Sequence, residues 1–97
     1  MKLIFYREGQ EGQSLFQYLH ENKIEIDDYN FPSIRIDYED WIAQYYLATN
    51  GNYYKEFNSC GYENYLYQFD SEEEFKTNLT DLLVNRFKIT EFSNPTK

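Results

Sequence analysis

The sequence predicts an α+β domain: a small mixed sheet of about four strands with about three helices packed on it, in one compact unit over 1–92. Three observations carry this. The stretch 62–69 alternates Tyr65, Tyr67 and Phe69 with Leu66 and Gln68, the period-two mark of a strand. A capped helix follows, and 87–92 then reads as a further strand. The chain has 97 residues, of which 21% are aromatic, enough for one modest core built largely of rings.

In order, 2–6 reads as a strand of near-continuous apolar character, as expected of one covered on both faces. Gly9 and Gly12 turn the chain. Ser14 caps a short helix through about Asn22, with Leu15, Phe16 and Leu19 on one face. Ile24 and Ile26, alternating with Glu25 and Asp27, suit a short strand. Pro32 and Asn30 place 28–33 in a loop. Ile34, Arg35 and Ile36 alternate as a strand. Asp37 and Asp40, spaced like a capping box with the shorter acid, predict a second helix whose face is Trp41, Ile42, Tyr45 and Ala48. Asn50-Gly51 stops it. The stretch 53–57 fits either a strand or a resumed helix, and 58–61 a turn. Asp70 or Ser71 caps the last helix, with Glu74 three residues after Ser71 and an apolar stripe of Phe75, Leu79, Leu82 and Leu83. The remainder, 93–97, is a polar, flexible C-terminal tail.

Composition narrows the function classes. The formal charge is −8, from 17 acids against 9 bases. A chain so charged is repelled by nucleic acid and by anionic membranes, and attracted to basic protein surfaces. Cys60 is the one cysteine, so no intrachain disulfide forms. No apolar run suits a signal peptide or a membrane span, which points to a cytoplasmic protein.

Enzyme chemistry finds little footing. The single His20 and the single Cys60 have neighbourhoods unlike those of a nucleophile and its base. A structural zinc site needs more soft ligands than these two. The acids do not follow the calcium-loop pattern, and the four glycines are scattered turn residues rather than a phosphate loop. The expectation is a protein that binds, without catalysis and without metal or cofactor.

Charge distribution indicates where. Glu25, Asp27, Asp28, Asp37, Glu39 and Asp40 face only Arg35 over 25–40, and Asp70, Glu72, Glu73, Glu74 and Asp81 face only Lys76 over 70–81. Helix capping accounts for Asp37, Asp40, Ser71 and Glu74. The surplus acids motivate a negative face that imitates nucleic-acid phosphates. With Tyr53 and Tyr54 as candidate exposed anchors, the expected partner-binding set is Asp27, Asp28, Asp37, Glu39, Asp40, Tyr53, Tyr54, Glu72, Glu73 and Glu74.

In size, charge and aromatic content the chain is similar to small acidic inhibitor proteins: phage proteins that block CRISPR or restriction enzymes, and immunity proteins that neutralise nuclease toxins. That resemblance implies a basic, nucleic-acid-handling protein as partner. A self-associating structural or regulatory module is the alternative, with a homo-oligomer as its signature.

Overall fold

The computed structural model describes residues 1–27, 29, 33–38, 40–59 and 63–87. Its elements in chain order are β1 (Lys2–Glu8), α1 (Leu15–Glu21), β2 (Ser33–Tyr38), β3 (Trp41–Leu47), β4 (Tyr53–Ser59), β5 (Glu63–Phe69) and α2 (Glu72–Phe87). The five strands form one sheet in the order β1-β5-β4-β3-β2. All four pairings are antiparallel. Among the described residues the sheet is therefore not mixed, and there is one strand more and one helix fewer than expected. No described helix is long and apolar enough to cross a membrane.

β2 to β5 run as a meander, each strand beside the next. β1 closes the opposite edge against β5, so the connection carrying α1 passes over one face of the sheet. α2 covers the other. Alternation along the strands assigns side chains to the two sides. Ile24, Tyr46, Ala48, Tyr54 and Leu66 are buried beneath α1, with Leu15, Tyr18 and Leu19 of that helix against them. Ala43, Tyr45 and Phe69 are buried on the other face with Phe75 and Leu79 of α2. Tyr45 and Tyr46 are neighbours in sequence and both fully buried, because the sheet has a core on each side.

The expected helix over 37–48 is instead the end of β2, a turn and all of β3. Trp41 and Tyr45 lie four residues apart, a separation that puts them on one side of a helix and equally on one face of a strand. Burial on both faces set Ile42 beside Trp41 and Tyr46 beside Tyr45, and so hid the alternation. Asp37 is not a cap: its carboxylate accepts from Arg35 Nε at 2.9 Å across the surface of β2. Asn50-Gly51 does not stop a helix but turns β3 into β4. Gly51 takes φ +88 and donates its N–H to the Ala48 carbonyl at 3.0 Å.

Of the two options for 53–57 the strand holds, and it runs on through Asn58 and Ser59, which were expected in a turn. The Ile24–Ile26 strand is reduced to a single bridge from Ile26 to Ala48, with Ile24 buried in the core. β1 is an edge strand rather than one covered on both faces: Leu3 is 46% and Tyr6 47% exposed. An irregularity between Leu3 and Phe5 lets both Ile4 and Phe5 join the α1-side core. Of the expected 87–92 strand, Phe87 belongs to α2, and 88–92 lies outside the described residues, as does the tail 93–97.

Both helices start as their sequences direct. Ser14 Oγ accepts from the Gln17 N–H at 3.1 Å and Gln17 Oε1 from the Ser14 N–H at 3.0 Å, a complete capping box. At α2, Ser71 Oγ accepts from the Glu74 N–H at 3.1 Å, while the Glu74 carboxylate reaches one residue further back, to the Asp70 N–H at 2.9 Å.

Candidate functional site

Strand register locates the predicted acids at two ends of the sheet. Ile26 pairs with Ala48 just beyond Leu47, Leu47 with Tyr53, and Tyr53 with Phe69, after which α2 begins. Asp27 and the first turn of α2 therefore lie at one end. Asp37 and Asp40 lie at the other, where Tyr38 pairs with Trp41 and Trp41 with Ser59. Trp41 and Leu47 are the two ends of the seven-residue β3, about 20 Å apart along the strand. The first acidic stretch is thus divided between the two ends, and Asp37 and Asp40 do not lie beside the first turn of α2. Asp28 and Glu39 lie outside the described residues.

At the first end the acids are largely engaged. Asp27 Oδ1 accepts from the Tyr29 N–H at 3.1 Å. Glu72 pairs with Lys76 one turn on, at 2.7 Å, and that ammonium holds its carboxyl below the usual range. Glu74 takes the Met1 amino group and the Asp70 N–H, which lower its carboxyl likewise. Glu73 is exposed beside Thr77. Tyr53 is half-buried, its ring 4.8 Å from that of Phe75. Tyr54 corrects the expectation of exposure: it is 2% exposed, on the opposite face of β4, and its hydroxyl accepts from Asn50 Nδ2 at 3.0 Å. Consecutive strand residues face opposite ways, so Tyr53 and Tyr54 could not both be anchors on one surface.

The second end brings together residues that sequence reasoning missed. Glu8 pairs directly with Glu63, and Tyr6 with Tyr65. The Tyr6 and Tyr65 rings lie 4.9 Å apart. Tyr6 donates to Glu8 Oε2 at 3.0 Å and Tyr65 to Glu63 Oε2 at 2.7 Å. Hydrogen bonding to Glu63, then desolvation, pushes the Tyr65 hydroxyl up to about 12, and the bond to Glu8 raises Tyr6 in the same way. Phe57 continues the row, its ring 6.4 Å from that of Tyr65, and Trp41 stacks on Phe57 at 4.3 Å and 14°. Four strands thus contribute one ring each to a row flanked by carboxylates. The Phe57 ring already has the Lys55 ammonium 5.3 Å from its centroid; a further guanidinium or ammonium could meet the Tyr6 and Tyr65 rings while the neighbouring carboxylates pair with its N–H donors.

A signal for this site exists in the chain. Tyr6 and Glu8, and Glu63 and Tyr65, are each two apart, so in a strand each pair shares a face. Ending the first strand at residue 6 hid the first pair. Among the described residues no three His, Cys, Asp or Glu side chains gather as metal ligands would. Comparison with protein-family models, curated proteins and solved structures finds no match, so the reading of this surface rests on its own geometry.

Proposed function

We propose that this protein is a small acidic inhibitor that binds and blocks a basic, nucleic-acid-handling protein in the cytoplasm, in the manner of phage anti-CRISPR or anti-restriction proteins. One observation carries the reading: Glu8 and Glu63 lie on the same face and at the same end of the sheet as the row Tyr6, Tyr65, Phe57 and Trp41. The acids supply long-range attraction and stand where phosphates would stand in a basic groove. The rings supply close contact at low entropic cost, as aromatic anchors do in protein interfaces. The remaining acids of the other end, Glu72 and Glu73 foremost, add to the field that draws a basic partner in.

The test is capture of partners from cells at low and high salt. A nuclease or other nucleic-acid-binding protein should be recovered at low salt and released by added DNA or RNA. Reversing charge at Glu8 and Glu63 together should weaken that capture at least about tenfold, as expected for charge-assisted contacts. Reversal at Glu72 and Glu73 should have a smaller, salt-sensitive effect. Normal binding by both reversed pairs would refute the acidic-surface mechanism.

A second reading, self-association, is favoured by the sheet edges. Leu3 and Tyr6 on β1 and Ile34 on β2 are exposed apolar side chains on the two strands that, among the described residues, form the edges of the sheet. It predicts a stable oligomer whose mass is insensitive to salt, measured by light scattering.

A further inference from the structure

On the other face of the sheet, between the end of α1 and strands β3 and β4, runs a groove of about 480 Å³. That volume is in the range of small-molecule sites. Phe16, Leu19, Ile24 and Ile26 give it apolar walls. At its base is Glu56, 7% exposed, the one buried charged residue among those described. Tyr46 donates to its Oε2 at 2.7 Å. Register sets Glu56 between Leu66 on one side and the Gln44 amide on the other. Glu25 and His20 stand at the rim.

A carboxylate in such a place is unfavourable by itself, since burial penalises its charge and no basic side chain is paired with it among the described residues. Burial holds the carboxyl above its usual range, against the opposing pull of hydrogen bonds from Tyr46 and Asn58. Hydrocarbon walls leading to one buried anion match a ligand with a hydrocarbon stem and a cationic head. We propose that this groove is a binding site for a small free alkylamine, its stem along Leu19, Ile24 and Ile26 and its ammonium against the Glu56 carboxylate. Glu25 at the rim favours a diamine, whose second ammonium it would meet. This site lies on the opposite face from the aromatic row and does not depend on the function proposed above.

The experiment is a titration of the whole chain with cadaverine, followed by backbone amide NMR shifts. Butylamine and an Nα-acetyl-lysine amide are run alongside. Shifts should centre on residues 16–26, 44 and 56, with cadaverine the tightest of the three. Glu56→Gln should weaken cadaverine at least about tenfold, the usual worth of a charge-assisted hydrogen bond. Glu25→Gln should cost about twofold, in keeping with an exposed pair. The joint change Glu72→Gln and Glu73→Gln should cost nothing.

Affinity should rise as pH climbs above the ordinary carboxylate range and Glu56 ionises. The other charged or titratable groups on that side of the sheet are Tyr46 on β3, Tyr54 on β4, Arg35 on β2 beyond Gln44, Arg7 on β1 opposite Asn64, His20 on α1 and Glu25 after it. Glu56→Gln should flatten the profile.

The amide variant should also fold. A carboxyl raised in the folded state makes wild-type stability fall as pH climbs from the ordinary carboxylate range through the raised value. Glu56→Gln removes that loss, so it should melt higher than wild type at pH 8. Ile26→Lys is the second variant, setting a tethered ammonium in the groove and competing with the amine. Undiminished cadaverine binding by Glu56→Gln or by Ile26→Lys overturns the proposal. So do shifts centred on the acidic ends of the sheet, or binding of the lysine amide alone.

Discussion

Lys23 adopts φ 56 directly after the Asn22 that closes α1, the left-handed position usually given to glycine. Its N–H still reaches the His20 carbonyl at 3.2 Å, so the side chain tolerates the conformation for the sake of that closing bond. The Cβ strain is about 1–2 kcal/mol, and a glycine would lose about 0.5–1 kcal/mol of it again in chain entropy. Lys23→Gly is therefore expected to stabilise the fold by about 0.5 kcal/mol. In a domain of this size that raises the melting temperature by about 2–4 °C, readable by calorimetry. Tyr45 shows the complementary case, a buried ring whose polar end is satisfied: its hydroxyl donates to Asn78 Oδ1 of α2 at 2.6 Å, fastening helix to sheet.

At the level of elements, α2 and the sheet hold each other through Phe75. Its ring lies 4.8 Å from Tyr53, 5.6 Å from Phe69 and 5.8 Å from Tyr45. Phe75→Ala should cost about 3–5 kcal/mol, since rigid rings on three sides cannot collapse into the cavity. Denaturant titration with unchanged slope would show this. α2 and β5 were the most legible parts of the chain. Cap, first-turn acids and stripe agree in α2, and aromatic alternation stands out in β5. β3 was not legible, because Trp41 and Tyr45 satisfy both periods and Asn50-Gly51 serves equally as a helix stop and as a hairpin turn. The same ambiguity obscured the site. Recognising a hairpin there would have set Asp37 and Asp40 at the end opposite α2. The ring row was out of reach, since Tyr6, Tyr65, Phe57 and Trp41 come from four strands and only register brings them together.

For the whole molecule, topology divides the sheet into a local and a distant part. The meander from β2 to β5 is joined by short connections, whereas Lys2 pairs with Gln68. Closing that last contact has the largest loop entropy to overcome. Native-state hydrogen exchange should therefore find the β1 amides bonded to β5 opening at lower free energy than those between β3 and β4. Equal protection in both sets would mean that the sheet opens only as one unit. The order also bears on synthesis. Among the described strands, β1 is made first and its neighbour β5 last. Until residue 69 has been translated, Leu3, Ile4 and Phe5 have no place in a sheet, and a nascent chain must carry them uncovered. A factor that shields short apolar segments near the exit tunnel would find its natural client in that interval, and a stall between β4 and β5 would prolong it.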